Sequence, residues 1–390
     1  MKLRHLVSIN DLTRDEIETV FSRADLFLKE LGDPENPHRI GESTDLCRGS
    51  VMATLFYEPS TRTRLSFESA MSRLGGNVIS SADPAASSAA KGESLADTVR
   101  MASVYADVLV IRHPREGAAK LAAEYASVPV INGGDGAHEH PTQTLCDLFT
   151  IRRERGSLSN LTVALLGDLK GGRTVHSLVY ALARFGATIV PMPANGLGLP
   201  EDVEWRLQHE FGYARLAREQ LIGVDVRTTG AFVPKDGAQG LGAIDVLYVT
   251  RYQKERARDA AGDYPVVDTK FMESPAFRHT LVLHPLPRVT ELDPKFDTDE
   301  RAAYFRQASY GVPIRMALLS LILDRERGLE RFENGFRPEP RQPINSPSVC
   351  PNGNCISIDP REHAATLRLF EISTERTRCL YCEHDVVGHH

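Results

Sequence analysis

Hydroxyl and guanidinium groups are concentrated in one short segment, Ser60-Thr61-Arg62-Thr63-Arg64. These side chains, together with the backbone N–H groups of a first helical turn, can converge on one doubly charged oxyanion such as a phosphate. The segment follows the apolar run Val51 to Phe56 and precedes a helical pattern, which predicts a strand, a turn and a helix start around it. On these residues alone the ligand is an unspecified oxyanion, and an arginine-rich capped helix is the structural alternative.

Further donors follow other predicted strands. They combine cationic or amide side chains with backbone N–H groups, so they could hold a carbonyl oxygen or a carboxylate. Taken alone, a His-Pro-x-x-Gln motif is more often structural, and the loop Gly167 to Thr174 matches neither a dinucleotide fingerprint nor a P-loop. These donors are Arg112 after Val108 to Ile111, His140 and Gln143 around Pro141, Arg173 in the loop Gly167 to Thr174, and Arg251 with Gln253 after Ile244 to Val249.

Two more segments could take part in a site. The turn His284-Pro285-Leu286-Pro287-Arg288 contains two prolines that fix its shape and present backbone carbonyls, which could accept hydrogen bonds from an amine or amide. The Ser- and Ala-rich segment Ser81 to Lys91 is interpreted as a mobile loop able to close over a site, with a plain surface loop as the alternative.

The polar groups form an asymmetric set, rich in cations and donors. The sequence has no Ser-His-Asp order, no His-Glu-x-x-His motif and no convincing carboxylate pair. We therefore predict a group transfer that depends on positioning and charge stabilisation, without a covalent intermediate or a catalytic metal. The predicted substrates are a phosphate ester or mixed anhydride and an acceptor that bears a carboxylate.

Up to about residue 330, short β-rich runs alternate with helical patterns, which is typical of parallel sheets covered by helices. The predicted fold class is α/β, with two doubly wound parallel-sheet lobes on either side of the helix near His140 and an active-site cleft between them. Ile314 to Arg327 is predicted as an amphipathic helix returning to the first lobe, and Gly328 to Pro347 as a linker region. The predicted strands are Val51 to Phe56, Asp107 to Arg112, Val128 to Asn132, Leu161 to Gly167, Thr188 to Pro191, Ile244 to Thr250 and Thr280 to Leu283, and the predicted helices are Thr61 to Leu74, Leu95 to Tyr105, Ala118 to Ala126, Pro141 to Arg155 and Thr174 to Phe185.

The overall charge argues against a polyanionic partner. The 390 residues include 46 Lys and Arg and 52 Asp and Glu, a net charge of −6, so neither nucleic acid nor a membrane is an expected partner. No run has the apolar length of a signal peptide or of a membrane span. We predict a cytoplasmic protein whose anionic substrates are held by local clusters.

Four of the six cysteines, Cys350, Cys355, Cys379 and Cys382, lie in the last 41 residues. The spacings Cys-x4-Cys and Cys-x2-Cys supply two close pairs of soft ligands, as tetrahedral zinc requires, with a predicted strand from Thr366 to Ile372 between them. Disulfides are the alternative, although a reducing cytosol favours a metal. Because four thiolates leave no open coordination position, this zinc is predicted to be structural, in a small β-rich C-terminal domain.

The run Phe56 to Glu68, together with His140-Pro141-Thr142-Gln143, resembles the carbamoyltransferase family. The turn His284 to Arg288 and the Arg251-Tyr252-Gln253 fork resemble the aspartate carbamoyltransferases, whereas the ornithine enzymes carry a different turn and an acidic motif. The tail resembles the zinc domain of the regulatory chain of the same enzymes, here fused to the catalytic chain. The resemblance implies a carbamoyl-phosphate-binding domain (1–142 and 311–328), an aspartate-binding domain (143–310), a linker (329–344) and a zinc domain (345–390).

The resemblance also implies the roles of individual residues, of which Arg62, Thr63, Arg112 and His140 would be catalytic. The phosphate of carbamoyl phosphate would be held by Ser60, Thr61, Arg62 and Thr63, and the carbamoyl group by Thr63, Arg112, His140 and Gln143. The two carboxylates of aspartate would be bound by Arg173, Arg251 and Gln253, with Thr174 beside them. The carbonyls of Leu286 and Pro287 would contact the carbamoyl nitrogen and the attacking amine, and Ser87 and Lys91 would reach into a neighbouring subunit's site.

By the same resemblance, the reaction is attack of the α-amine of L-aspartate on carbamoyl phosphate, giving N-carbamoyl-L-aspartate and phosphate, the committed step of pyrimidine biosynthesis. The implied assembly is a homotrimer with shared active sites, and the zinc domain could pair two trimers. Two alternatives remain. One is a carbamoyltransferase that uses another amino-acid acceptor, and the other is a non-catalytic scaffold with the same fold.

Overall fold

The computed structural model describes residues 5–81, 88–212, 244–253, 264–324, 344–345, 349–362, 368–373 and 376–386. The chain divides into two compact units, residues 1–142 with 311–390 and residues 143–310. No helix among the described residues is both long and apolar enough to span a bilayer.

The first unit is built on a four-stranded, wholly parallel sheet. Its third strand in spatial order is buried at every position, as expected for a parallel strand with helices on both faces. The sheet confirms the predicted α/β class. In spatial order the strands are β4 (Asn77–Ser81), β3 (Val51–Phe56), β5 (Val108–His113) and β6 (Val130–Asp135), and a short hairpin of β1 (Gly32–Asp33) and β2 (Asn36–Ile40) lies outside the sheet.

The helices of the first unit cover this sheet. The first helix starts with a capping box formed by Thr13 and Glu16. The side chain of each of these two residues accepts a hydrogen bond from the backbone N–H of the other. The helices are α1 (Arg14–Leu31), α2 (Thr61–Arg73), α3 (Leu95–Tyr105), α4 (Ala118–Tyr125) and, after the second unit, the returning helix Gly311–Leu323.

The returning helix differs from its prediction. It begins at Gly311, three residues early, and ends at Leu323, while residues 325–327 of the predicted helix lie outside the described residues. It packs against α1 and α2, as expected for a return to the first lobe. Nearly all of its residues up to Leu321 are buried, so the prediction of an amphipathic helix is wrong, because the helix is enclosed on all sides instead of covering a surface.

The second unit contains another four-stranded parallel sheet. Its strands in spatial order are β10 (Leu281–Leu283), β9 (Val246–Val249), β7 (Thr162–Gly167) and β8 (Thr188–Pro193). Its helices are α5 (Pro141–Arg155), whose first two residues belong to the first unit, α6 (Arg173–Arg184), α7 (Glu201–His209) and α8 (Tyr304–Ser309). The returning helix Gly311–Leu323 is therefore α9.

The cysteine-rich tail belongs to the first unit and carries a small antiparallel sheet. Its buried residues share one apolar cluster with residues of α4, so the tail packs against the parallel-sheet lobe. Gly117 has a φ of +80°, and a Cβ there would lie 2.5 Å from the backbone carbon of Tyr381, so only glycine fits this close approach. The strands are β11 (Ile344–Asn345), β12 (Arg368–Ser373), β13 (Arg376–Cys379) and β14 (Asp385–Val386).

Candidate active site and candidate metal site

The predicted oxyanion segment lies at the start of α2, after β3. Ser60 is extended, with φ −159° and ψ 91°, and none of the described backbone N–H groups of α2 donates to its side chain. Thr61 and Arg62 are exposed, whereas Thr63 is buried. The hydroxyl of Ser60 and the guanidinium of Arg62 therefore lie where a ligand at the helix N-terminus could reach them.

Arg112 lies beside this segment because of strand register. Strand β3 pairs Phe56 with Arg112, and the backbone N–H of Tyr57 donates to the Arg112 carbonyl at 2.8 Å. The guanidinium is 9% exposed and donates to the Gly133 carbonyl at 3.1 Å and to Glu58 at 3.3 Å. These bonds hold a buried cation next to the start of the oxyanion segment.

His140 ends a buried loop that follows β6. Its Nδ1 lies 3.5 Å from the hydroxyl of Thr142, in the first turn of α5. The preceding residue, Glu139, is also buried and accepts hydrogen bonds from the Ser8 hydroxyl at 2.5 Å and from the backbone N–H of Ile9 at 3.0 Å. The loop that carries His140 is thus fixed to the N-terminal part of the chain.

His138 fixes the same loop to the cysteine-rich tail, a contact that no sequence motif indicates. Its Nδ1 lies 3.1 Å from Asp135 and its Nε2 lies 3.6 Å from Glu383, which directly follows Cys382. Burial lowers the pKa of His138, but the carboxylates of Asp135 and Glu383 outweigh burial and hold that pKa well above its usual value. The imidazolium therefore bridges two carboxylates, one from the lobe and one from the tail.

In the second unit, Asp168 joins two of the predicted aspartate-binding segments. Its Oδ1 accepts the backbone N–H of Gly171 at 2.7 Å, in the loop that leads to Arg173 and Thr174. Its Oδ2 accepts the backbone N–H of Gln253 at 3.1 Å. Arg173 begins α6 and is buried, so this one buried carboxylate brings its loop and the Arg251-Tyr252-Gln253 fork together.

The turn at Leu286 and Pro287 is held by His284. Its Nδ1 accepts the backbone N–H of Leu286 at 2.8 Å, its Nε2 lies 2.8 Å from Glu291, and the Leu286–Pro287 peptide bond is cis. Burial raises the pKa of Glu291, but the bonds it accepts from His284 and from backbone N–H groups lower it further than burial raises it. Glu291, also missed from sequence, therefore acts as a charged acceptor for the turn.

A buried polar network connects this turn to Gln143. The side chain of Gln143 donates from Nε2 to Asp147 at 2.7 Å, and Gln307 donates from its own Nε2 to the same Asp147 oxygen at 2.6 Å. The Oε1 of Gln307 accepts the backbone N–H of His284 at 2.9 Å, and the hydroxyl of Tyr248 donates to the other Asp147 oxygen at 2.9 Å. Asp147 could have been suspected from sequence only as one acidic residue within the otherwise apolar run Leu145 to Phe149.

The four tail cysteines have the geometry of a metal site. Their Sγ atoms all lie within 4.8 Å of one another, with 3.7 Å between Cys350 and Cys382 and 3.8 Å between Cys355 and Cys379. A tetrahedron with zinc–sulfur bonds of about 2.3 Å has edges of roughly 3.8 Å, whereas a disulfide would need about 2.05 Å. All four are buried, so the residues fit a four-coordinate metal ion and do not fit two disulfides.

The segment predicted to reach a neighbouring subunit is described in part. Ser87 lies outside the described residues. Lys91 is exposed and ends a 3-10 turn, Ser88–Lys91, before α3. Its position on the surface leaves its ammonium accessible to a second molecule.

The predicted ligands thus form two groups, one in each compact unit. The first unit holds Ser60, Thr61, Arg62, Thr63, Arg112 and His140, and the second holds Gln143, Arg173, Thr174, Arg251, Gln253, Leu286 and Pro287. Within each group, the strand order and the hydrogen bonds above bring together segments that are distant in sequence.

Comparison with known proteins agrees with this architecture. Residues 4–154 match the model of the aspartate/ornithine carbamoyltransferase carbamoyl-P binding domain, and residues 159–322 match that of the Asp/Orn binding domain. The chain therefore belongs to the aspartate/ornithine carbamoyltransferase family. Two similar relatives are aspartate carbamoyltransferase catalytic subunits. The protein of Thermoplasma acidophilum is 47% identical over 329 residues, which are 83% of this chain and 99% of the relative. That of Halorubrum lacusprofundi is 47% identical over 339 residues, which are 85% of this chain and 99% of the relative.

Solved structures give the same result. The catalytic subunit of M. jannaschii aspartate transcarbamoylase is 42% identical, with a TM-score of 0.69, and the match covers 84% of this chain and 100% of that one. Aspartate transcarbamoylase from Trypanosoma cruzi, solved with carbamoyl phosphate and aspartate, is 39% identical, with a TM-score of 0.69 and coverage of 82% and 95%. The family models end at residue 322, so neither covers the cysteine-rich tail.

Proposed function

We propose that this chain is an aspartate carbamoyltransferase, which transfers the carbamoyl group of carbamoyl phosphate to the α-amine of L-aspartate and releases phosphate. The product, N-carbamoyl-L-aspartate, is the first intermediate committed to pyrimidine biosynthesis. The observation that carries this proposal is the similarity of 82% of the chain, at 39% identity, to an enzyme solved with both of these substrates bound.

The first unit would bind carbamoyl phosphate. Ser60, Thr61, Arg62 and Thr63 supply hydroxyl, guanidinium and helix N-terminal donors to the phosphate, which is the leaving group. Arg112 and His140 donate to the carbamoyl oxygen and stabilise the negative charge that this oxygen gains in the tetrahedral intermediate. The hydrogen bonds of Arg112 to Gly133 and Glu58 support this role, because they hold the guanidinium in place before the reaction.

The second unit would bind aspartate. Arg173, Arg251 and Gln253, with Thr174, meet the two carboxylates. The Leu286 and Pro287 carbonyls accept from the carbamoyl nitrogen and the amine, and Gln143 contacts the carbamoyl group. The neutral amine attacks the carbamoyl carbon, the bond from that carbon to the phosphate oxygen breaks, and the departing phosphate takes the amine proton. No covalent enzyme intermediate and no catalytic metal are needed.

The tail would hold one structural zinc ion through Cys350, Cys355, Cys379 and Cys382. When bound, zinc would crosslink β13 and its following turn to the segment around Cys355, and a module this small needs such a crosslink to stay folded. We also propose a cytoplasmic homotrimer in which Ser87 and Lys91 complete a neighbouring subunit's site, with the tail able to pair two trimers.

Parallel assays with carbamoyl phosphate and aspartate, ornithine or N-acetylornithine test the proposed activity. We expect turnover with aspartate and none above background with the other two acceptors. Turnover with ornithine but not with aspartate would overturn the assignment, and turnover with none would favour a non-catalytic scaffold.

A further inference from the structure

We propose that Asp147 is a positioning residue that makes the enzyme selective for a carbamoyl donor, because it fixes the direction of the Gln143 side-chain amide. This inference rests on the proposed function, in which Gln143 contacts the carbamoyl group. A carbamoyl group carries an –NH2 where an acetyl group carries a methyl group. An amide oxygen facing that position would therefore favour carbamoyl phosphate over acetyl phosphate, whereas an amide –NH2 would not.

The direction of the amide follows from its partner. A glutamine amide has one donor end and one acceptor end, whereas an ionised carboxylate only accepts. The 2.7 Å contact with Asp147 therefore assigns Nε2 of Gln143 to the buried side and turns Oε1 away from Asp147. An amide free to rotate would present either end to a substrate.

The rest of the network prevents Asp147 from accommodating the opposite arrangement. Gln307 cannot turn its amide over, because its Oε1 accepts the backbone N–H of His284, a donor whose identity is certain. Its Nε2 must therefore face Asp147, at 2.6 Å. Tyr248 also faces Asp147 as a donor, since burial and the nearby Asp147 charge hold the pKa of its hydroxyl well above the usual value.

These partners are enclosed, apart from the half-buried Gln143. Asp147 and Tyr248 are 0% exposed and Gln307 is 1% exposed, so bulk water cannot substitute for a lost bond. Buried networks in which every member has a defined role as donor or acceptor hold one arrangement strongly. The carboxylate thus accepts hydrogen bonds from Gln143, Gln307 and Tyr248, of which Gln143 is the residue predicted to contact the carbamoyl group.

Asp147→Leu tests the proposal with little change in side-chain volume. The apolar side chain accepts no hydrogen bond, so nothing holds Nε2 of Gln143 on the buried side and the amide is free to turn either end toward the substrate. We expect the ratio of kcat/KM for carbamoyl phosphate to that for acetyl phosphate to fall about 3- to 10-fold, the value of one net hydrogen bond.

The reaction of each acyl phosphate is followed by the amount of its product. Carbamoyl transfer gives N-carbamoyl-aspartate; with acetyl phosphate, a C–N bond to the aspartate amine forms as the acyl carbon–oxygen bond breaks, giving N-acetyl-aspartate and phosphate. Tyr248→Phe is the matched control, since it removes a hydrogen bond from the same carboxylate without adding a donor, and it should keep the wild-type ratio.

Gln143→Ala keeps the proposal testable if Asp147→Leu does not fold, because it must lower the same ratio. The double variant should lose no more selectivity than Gln143→Ala alone, since Asp147 acts through Gln143. An unchanged ratio in folded Asp147→Leu, an equal loss of activity with both acyl phosphates, an unchanged ratio in Gln143→Ala, or additive losses would each overturn the proposal. Failure of the proposed function is recognised separately, as absence of carbamoyl transfer by the wild-type enzyme.

Discussion

Glu362, in the tail, accepts the backbone N–H of Leu95 at 2.5 Å, although 267 residues separate the two positions. Leu95 is the first residue of α3. The backbone nitrogen of the second residue, Ala96, lies 3.4 Å from the other carboxylate oxygen of Glu362. A carboxylate at this position satisfies N–H groups that the helix itself cannot pair and interacts favourably with the helix dipole. The tail therefore caps a helix of the lobe.

Removal of this cap should destabilise the first unit. We expect Glu362→Ala to lower the free energy of unfolding by about 1–2 kcal/mol, as for a lost N-cap. Denaturant unfolding followed by circular dichroism measures the change. Ser94→Ala is the matched control: it removes the local cap, in which Ser94 accepts the N–H of Asp97, but leaves the tail contact intact. An unfolding free energy that Glu362→Ala leaves unchanged would contradict the capping role, and equally ready detachment of the tail by a protease in both variants would show that Glu362 does not hold the tail.

Arg62→Ala should lower kcat/KM by an amount that corresponds to about 3–5 kcal/mol of lost transition-state stabilisation, comparable to the loss of an oxyanion donor. Steady-state kinetics with both substrates varied provide the measurement. Arg73→Ala is a control at the other end of the same helix, because the Arg73 guanidinium donates to the Glu42 carbonyl at 3.1 Å, and it should cost less than about tenfold. The site is misplaced if the two variants lose similar activity or if Arg62→Ala loses less than tenfold.

Zinc should be present at one ion per chain and should be lost from Cys379→Ser. A three-thiolate site binds zinc more weakly, and metal binding and folding are coupled in small modules. Elemental analysis gives the zinc content, and limited proteolysis reports whether the tail has become accessible. Cys47→Ser, which changes a buried cysteine outside the cluster, should keep its zinc; equal zinc content in the two variants would contradict the assignment.

The contact between His138 and Glu383 should depend on pH. A pKa raised in the folded state adds stability that is complete below the unfolded value of about 6.5 and is lost as pH rises through the folded value. Glu383→Gln should therefore cost about 0.5–1 kcal/mol at pH 6 and less at high pH, and should lower the His138 pKa measured by NMR. A cost that does not change with pH would show that the imidazolium is not the partner.

Shared sites can be tested by mixing inactive variants. If Lys91 serves a neighbouring subunit, trimers reassembled from Lys91→Ala and Arg62→Ala chains will contain some sites with neither substitution and will regain part of the activity. Arg62→Ala mixed with Arg112→Ala is the control without recovery, since each of its sites retains one defect. Activity that stays at the level of the separate variants after verified reassembly would argue against Lys91 acting between subunits.

The parallel-sheet class could be predicted because buried β-branched runs such as Val108 to Ile111 alternate with helical patterns. Strand ends were less accurate. Strand β6 is predicted to end at Asn132, directly before two glycines, but it continues to Asp135, where its backbone pairs with β5 across a register shift. Backbone hydrogen bonds do not require a side chain, so glycine marks a strand end only weakly.

The candidate ligands could be proposed from sequence, whereas their supports could not. Asp168 and Glu291 serve backbone N–H groups, which leave no trace in side-chain patterns. His138 and Glu383 are far apart in the chain, and no local motif links them. Glu383 even adopts a φ of +58°, a conformation unusual for a residue other than glycine, and only the folded tail reveals it.

The first unit is assembled from both ends of the chain, and this sets an order on its synthesis. Residues 143–310 leave the ribosome as one continuous piece and can fold at once, but the first unit lacks α9 and its tail until residues 311–390 have been made. At about 5–20 residues per second, those 80 residues add roughly 4–16 seconds. During that interval the faces of α1, α2 and α4 that these residues later cover are open to chaperones and to neighbouring nascent chains.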